Sequence, residues 1–233
     1  MEGLLSLVTV SVSDDCRDLY ISPGQYSMCK PVDAPADTKA SFYAISSPPS
    51  AESNSFEFLI KDLPPYVKAN SPIMMSPPMG KGFPIESQLL SLTNDFPAQD
   101  VLMFAAGSGI APLRSVIESN ILSTQKRNLS LFIGVKELSH LAYTEKFSDW
   151  KKKFGVTNIV ACVSRGEEGM ELPANIDCEV VSGYCTSALE ELDAVVVPRN
   201  TGVLLCGMKG MCESVTDYCV KKGVAKERCL TNF

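Results

Sequence analysis

The sequence predicts two domains, an antiparallel β-barrel followed by an α/β domain built on a parallel sheet. The first observation is a series of short strand-like segments with Gly and Pro turns and little helix in residues 1–96, which is typical of a small antiparallel barrel. The second is a different sequence pattern in residues 97–233, where apolar strands alternate with helical stretches. Such alternation indicates crossover helices on a parallel sheet. We therefore expect the domains at 1–96 and 97–233.

Five segments of the first half have the composition of strands. Each is either an alternation of apolar and polar residues or a short apolar run next to a turn signal. They are residues 4–13, 25–29, 41–46, 56–61 and 73–75. Pro23-Gly24 and Pro48-Pro49 supply turns between them.

The second half carries longer apolar strands and three helical stretches. The predicted strands are residues 101–105, 129–135, 158–163 and 202–206. The predicted helices are residues 111–123, 143–154 and 208–222, with Gly223 as the C-terminal cap of the last one. Ligands of parallel α/β sheets bind at the carboxyl ends of the strands, so we expect a site at that edge.

One stretch at that edge has the order of elements of a phosphate-binding crossover, which is a strand, a glycine turn and a helix. An apolar strand, Val101–Ala105, runs directly into Gly107-Ser108-Gly109, and apolar residues then recur at helical spacing. Glycines let the backbone approach a ligand closely, and the N–H groups of the first helical turn favour an anion. Pro112 fits that turn because its missing N–H costs nothing there. A structural turn that binds no ligand is the alternative interpretation.

Charge and hydropathy exclude two classes of function. The chain of 233 residues has a net charge of −6, which argues against a nucleic-acid or membrane-surface role. The first 97 residues hold 6 basic and 11 acidic residues, and the remainder holds 15 and 16. The second half is therefore the easier place for an anionic ligand. We expect no membrane span, because no run of about 18 apolar residues occurs.

The cysteines and the single histidine do not form a metal or disulfide framework. Nine cysteines are scattered without any C-x-x-C, so free thiols in a reducing compartment are expected. His140 stands in a polar loop and is expected to be solvated, and no metal site can be assembled around it.

The ordered set of motifs resembles the ferredoxin–NADP reductase superfamily over nearly the whole chain. The motifs are Pro-Gly-Gln-Tyr at 23–26, Tyr43 in a short strand, Gly-Ser-Gly-Ile-Ala-Pro at 107–112, Cys206-Gly207 and the aromatic residue Phe233. Residues 78–83, PMGKGF, are further similar to the electron-transfer subunit of dihydroorotate dehydrogenase and its small plant relatives. The iron–sulfur domain of that subunit has no counterpart in these residues.

The resemblance implies a flavin-dependent oxidoreductase with FAD and NADP(H), or NAD(H), as cofactors. Hydride would pass from NAD(P)H to FAD, and electrons would pass on to an unidentified small-molecule or protein acceptor. Tyr43 would stack on the flavin, Phe233 would cover its ring unless it is only a frayed tail, and Cys206 would lie beside the nicotinamide. Cys206 and Phe233 are thus the catalytic candidates. The further cofactor contacts implied by the resemblance are Ala44, Ile45, Ser46, Gly80, Lys81, Gly82, Gly107, Ser108, Gly109, Ile110, Ala111, Pro112, Gly207 and Met208.

Ser164 and Arg165 directly follow a predicted strand, where relatives that use NADPH hold the 2′-phosphate. An arginine suits that task through its planar donor fork. The resemblance therefore favours NADPH over NADH. A solvated loop arginine is the alternative interpretation of Arg165.

The chain departs from the family at the flavin motif. The family pattern Arg-x-Tyr-Ser is Ser41-Phe42-Tyr43-Ala44 here, so the arginine expected at the flavin diphosphate is absent. Lys39 and Lys81 are the candidates for supplying the positive charge of the missing arginine. One strand instead of two precedes Pro23, and Thr231 stands where some relatives carry a carboxylate.

Three hypotheses follow from these residues. The first is an NAD(P)H:acceptor oxidoreductase in the chloroplast or the cytoplasm. The second is a nucleotide-binding module that has lost flavin chemistry. The third is an electron-transfer subunit whose iron–sulfur partner is a separate chain.

Overall fold

The computed structural model describes residues 4–35, 37–92, 96–122, 127–165, 176–195 and 197–232. Their strands form two antiparallel sheets followed along the chain by one parallel sheet of six strands. The predicted fold class, an antiparallel barrel domain followed by an α/β domain, is confirmed. The division at residue 96/97 stays a prediction.

The antiparallel part is built from five strands and encloses a small aromatic core. The strands are β1 (Leu5–Ser11), β2 (Tyr26–Pro31), β3 (Ser41–Ala44), β4 (Ser55–Lys61) and β5 (Ile73–Met75). β1 pairs with β4, and β2 lies between β3 and β5. A bridge between Ile45 and Phe58 joins the two sheets. A four-residue helix, α1 (Asp14–Arg17), follows β1.

The parallel sheet contains all four strands predicted for the second half and two more. Its strands are β6 (Asp100–Ala106), β7 (Asn128–Val135), β8 (Val156–Val163), β9 (Glu179–Ser182), β10 (Thr201–Cys206) and β11 (Cys229–Thr231). Their order is β11-β10-β6-β7-β8-β9. Buried clusters cover both faces of this sheet, as the near-continuous apolar strands require.

The parallel part contains the three predicted helices, two of them with a shifted boundary, and one helix that was not predicted. They are α2 (Ile110–Glu118), α3 (Phe147–Phe154), α4 (Cys185–Glu191) and α5 (Lys209–Lys221), of which α4 was not predicted. The expected extension of α2 to residue 123 is wrong, because Asn120 has a φ of 58° and ends the helical path. The expected start at residue 143 is also wrong, because Tyr143 has a φ of 62° and a 3₁₀ turn precedes α3.

Buried polar contacts fasten α2 to the antiparallel part. Arg114 Nη2 donates to Glu57 Oε2 on β4 at 2.5 Å, and Arg114 Nε donates to Glu118 at 3.0 Å. The hydroxyls of Tyr20 and Ser115 lie 2.6 Å apart. The helix that follows the glycine turn is thereby held against the strand that ends at Lys61.

Two sequence-based expectations concern redox state and membranes. All nine cysteines lie within the described ranges and are free thiols. Within those same ranges, no helix combines the length and the apolar character that crossing a membrane requires.

Candidate functional site

A cavity of about 1360 Å³ lies between the antiparallel strands and the carboxyl edge of the parallel sheet. Single-ligand pockets usually measure roughly 300–1,000 Å³, so this cavity has room for two ligands side by side. Ten of the residues predicted for the site line it: Tyr43, Ala44, Gly107, Ser108, Gly109, Ala111, Ser164, Cys206, Gly207 and Met208.

The glycine turn after β6 forms the centre of one wall. Gly107 has a φ of 57°, and a Cβ at this position would meet no heavy atom within 4 Å, so the turn borders open space. Gly109 is different, because a Cβ there would lie 2.1 Å from the carbonyl oxygen of Cys206. The turn after β6 therefore packs directly on the end of β10, and only glycine permits that approach.

The turn after β10 completes this wall. Gly207 has a φ of 145°, and its Cβ would lie 2.7 Å from that of Ala106. Burial raises the pKa of the Cys206 thiol to about 12. A thiol whose pKa is raised by burial is a poor nucleophile, and a small apolar residue suits the wall of a cavity.

The opposite wall is aromatic and belongs to β2, β3 and β4. The rings of Tyr26 and Phe42 lie 5.7 Å apart, and Phe42 is 63% exposed. Tyr43 contacts Phe58 edge to face with 6.4 Å between ring centroids. An exposed aromatic side chain beside a large cavity provides a surface on which a planar ring can stack.

Two lysines contribute polar groups to the cavity. Lys61, the last residue of β4, lines it, and so does Lys136 after β7, together with Ser164 and His140. His140, which is expected to be solvated, is partly exposed in a 3₁₀ turn and lines the cavity.

Asn232 contributes an unusual acceptor to the cavity wall. It is buried, and its Nδ2 donates to the carbonyl of Gly24 at 3.0 Å. Its Oδ1 has no hydrogen-bond partner among the described residues. A buried acceptor without a partner is costly, so Oδ1 is suited to accept from a ligand N–H.

Eight predicted contacts lie outside the cavity lining: Ile45, Ser46, Gly80, Lys81, Gly82, Ile110, Pro112 and Arg165. Ile45, Ser46, Ile110 and Pro112 are buried in the structure beneath the wall. Arg165 is exposed, although its N–H donates to the carbonyl of Lys136 at 3.0 Å. Phe233 lies outside the described residues.

The two glycines of the PMGKGF segment have a structural explanation. A Cβ at Gly82 would lie 2.4 Å from the carbonyl oxygen of Pro23, and one at Gly80 would lie 2.9 Å from the Tyr26 ring. Both have positive φ angles. These glycines let the segment pack closely beneath the Pro23-Gly24 turn.

Sequence reasoning missed both lysines of the cavity. Lys39 and Lys81 were the candidates for the missing flavin-motif charge, and neither lines the cavity, whereas Lys61 does. Lys136 directly follows the predicted strand 129–135, so the rule that ligands bind at the carboxyl ends of strands could have found it.

Comparison with known proteins gives a family match and several similar plant proteins. The family model "Oxidoreductase NAD-binding domain" matches residues 103–217. Fruit protein pKIWI502 of Actinidia deliciosa is 31% identical, over 96% of this chain and 70% of its own length. The chloroplastic ferredoxin–NADP reductase, leaf isozyme 1, of Oryza sativa subsp. indica is 28% identical over 66% of this chain. That match spans 41% of the rice protein.

Solved structures share the fold over the whole chain. A ferredoxin NADP+ reductase of Neisseria gonorrhoeae with bound FAD and NADP superposes with a TM-score of 0.72 and 16% identity, covering 98% of this chain and 93% of its own. The FAD/NAD-binding domain of nitric oxide dioxygenase from Vibrio cholerae superposes with a TM-score of 0.69 and 14% identity. This match covers 99% of this chain and 93% of that domain's chain. At these identities the likeness establishes a common fold.

Proposed function

Because this chain belongs to the ferredoxin–NADP reductase superfamily of FAD- and NAD(P)-binding oxidoreductases, we propose that it is an NAD(P)H:acceptor oxidoreductase that works with bound FAD. One observation carries the proposal. The glycine turn after β6 and the aromatic wall of β2 and β3 face the same cavity of about 1360 Å³. A donor on one wall and an acceptor on the other would then lie side by side.

The residues on the parallel-sheet side fit a dinucleotide. Gly107, Ser108 and Gly109 place a tight turn and the start of a nine-residue helix at the cavity, where a pyrophosphate is favoured by backbone N–H groups and the helix dipole. Cys206 and Gly207 leave space beside this turn for the nicotinamide.

The residues on the antiparallel side fit a flavin. Tyr43 and Phe42 offer aromatic surface to the ring system, Lys61 offers a cation to the diphosphate, and Asn232 Oδ1 offers an acceptor to a ring N–H. When bound, FAD supplies the capacity to take a hydride from NAD(P)H and to pass electrons on. The protein aligns the reactants and excludes water.

The direct test is spectroscopic. The purified protein is incubated with FAD, freed of excess cofactor, and titrated anaerobically with NADPH or NADH while the visible spectrum is recorded. We expect a retained flavin spectrum that bleaches, followed by reduction of added ferricyanide. A flavin that is retained but stays oxidised with both nucleotides would contradict the proposal.

A second candidate is a nucleotide-binding module without flavin chemistry. The specific observation that favours it is Ser41 in place of the flavin-motif arginine, with Asp62 next to Lys61. This candidate predicts a colourless protein after FAD addition that still binds NADP+ in a calorimetric titration.

The acceptor and the compartment are proposed on coarser grounds. The rice relative is named a chloroplastic ferredoxin–NADP reductase, so we propose the chloroplast as the location and a one-electron protein as the first acceptor to assay. The control acceptor is ferricyanide, which needs no docking surface.

Lys61→Gln is expected to weaken FAD binding about tenfold, because a charge-assisted hydrogen bond to the diphosphate contributes about 1.5–3 kcal/mol. The measurement is the FAD Kd from fluorescence quenching. Lys68→Gln is the matched control, because Lys68 is exposed and does not line the cavity. Equal FAD affinity of the two variants would remove Lys61 from the flavin site.

Lys136→Gln is expected to raise the Kd of NADP+ about tenfold and to leave NAD+ nearly unchanged, because the ammonium group would pair with the 2′-phosphate. Arg165→Gln is the comparison, since Arg165 lies outside the cavity lining. If Arg165→Gln raised the Kd of NADP+ more than Lys136→Gln does, the 2′-phosphate would bind Arg165, as the sequence predicts, and not Lys136.

A further inference from the structure

Two cysteines of different elements meet in the wall of the cavity. Cys162 lies near the end of β8, and Cys185 is the first residue of α4. Both are buried, both line the cavity, and both belong to the same buried cluster. Nothing in the function proposed above uses either thiol.

Sheet register explains why the two sulfurs meet. Cys162 pairs with Gly134 on β7, and register partners on parallel strands lie about 4.8 Å apart with side chains on the same face. A Cβ at Gly134 would lie only 3.2 Å from Cys185 Sγ. The missing side chain of Gly134 thus makes room for Cys185 beside Cys162.

The Cys185 thiol lies 4.0 Å from Met211 Sδ, to which it donates. The interaction between the two cysteine side chains raises the pKa of Cys162 and lowers the pKa of Cys185. Cys185 is therefore the thiol that ionises first. A thiolate with a neighbouring thiol is the arrangement in which oxidation ends in a disulfide.

The third cysteine of the cavity is too distant to pair with Cys162. Cys206 lies on β10, and β6 and β7 separate that strand from β8. Three strand spacings amount to roughly 14 Å, whereas the Cα atoms of a disulfide lie within about 7 Å.

We propose that Cys162 and Cys185 form a redox-active dithiol in the cavity wall, which a peroxide oxidises to an intramolecular disulfide and which a bound dinucleotide shields. The shielding rests on the function proposed above. The disulfide would tie the start of α4 to the end of β8, beside Tyr184 and Thr186 in the cavity lining.

The chemistry balances with hydrogen peroxide as the oxidant. The Cys185 thiolate attacks one peroxide oxygen, the O–O bond breaks, and the departing hydroxide takes a proton to become water. The Cys162 sulfur then attacks Cys185 Sγ, its proton leaves with the hydroxyl group, and a second water is released. Two thiols are oxidised and one peroxide is reduced to two waters.

The test is peptide mapping of the full-length protein after peroxide treatment and alkylation. Trypsin places Cys162 in residues 154–165 and both Cys178 and Cys185 in residues 166–199, so a cross-link between these peptides needs assignment. We expect the cross-link in the wild type and in Cys178→Ser, and its loss in Cys185→Ser. A wild type whose cavity cysteines stay unlinked, or a cross-link that depends on Cys178, would overturn the dithiol.

Shielding is measured on the same cross-link. With NADP+ at about ten times its Kd, we expect cross-link formation to slow about tenfold, since about a tenth of the molecules stay unoccupied. An unchanged rate at calorimetrically verified occupancy would overturn the shielding. Absence of NADP+ binding in calorimetry would instead count against the proposed function, while the peptide map still decides the dithiol.

Discussion

Replacing Arg114 by methionine is expected to lower the free energy of unfolding by about 3–5 kcal/mol, as removal of one partner from a buried ion pair does. Arg114 is 4% exposed and bonds two carboxylates, Glu57 at 2.5 Å and Glu118 at 3.0 Å. Its guanidinium carbon also lies 4.9 Å from the ring centre of Tyr143. Methionine keeps the volume but leaves both carboxylates without this cation. The measurement is urea unfolding followed by tryptophan fluorescence.

A surface ion pair provides the matched control. Lys153 contacts Asp149 at 2.8 Å one helical turn away, and both side chains are more than half exposed. Exposed pairs contribute little, so Lys153→Met should unfold at the urea concentration of the wild type. If the two variants behave alike, the contact between Arg114 and Glu57 does not stabilise the junction of α2 with β4.

Glu57→Gln removes the negative charge of this contact and keeps the size of the side chain. The amide oxygen can still accept from Arg114, so we expect a smaller loss of stability than for Arg114→Met. Because α2 follows the glycine turn and β4 ends at Lys61, this contact also sets the distance between the two proposed cofactor walls. A loss of FAD affinity in Arg114→Met under native conditions would be the functional sign of that coupling.

The sequence predicted most of what depends on local patterns. The apolar strands, the glycine turn at Gly107-Ser108-Gly109 and the C-terminal cap at Gly223 are written in contiguous residues, and the structure contains all of them. The short elements β9, α4 and β11 were not predicted, because three to seven residues carry too little periodicity.

Contacts between distant residues were beyond a reading of the sequence. Arg114 and Glu57 lie 57 positions apart, and no local pattern announces their ion pair. The sequence also does not tell which lysine reaches the cavity, and Lys61 lines it while Lys81 does not. Nor does the sequence tell whether a glycine is needed for packing or borders a cavity. Gly82 packs closely against another part of the chain, whereas Gly107 borders open space.

Gly109→Ala is expected to lower the free energy of unfolding by about 3 kcal/mol, the upper range for a side chain forced into a packed region. The new Cβ would lie 2.1 Å from the carbonyl oxygen of Cys206 and 2.6 Å from its carbon. Both are backbone atoms, so neither can rotate away. Either α2 or the end of β10 must move, and both carry residues of the cavity.

Gly210→Ala is the control for this substitution. Gly210 lies exposed in the first turn of α5, and a Cβ there would meet no heavy atom within 4 Å. Alanine favours a helix over glycine by up to about 1 kcal/mol, so this variant should be as stable as the wild type or more stable. Thermal unfolding without NADP+ compares the stability of the two variants, and scans of the wild type and Gly109→Ala with NADP+ measure the effect on binding. Gly210 lines the cavity, so Gly210→Ala is a control for stability alone. We expect Gly109→Ala to lose both stability and the increase in Tm that NADP+ gives the wild type. If Gly109→Ala kept the wild-type Tm, the glycine turn would not be packed on β10. Other residues of the cavity would then have to be considered for pyrophosphate binding.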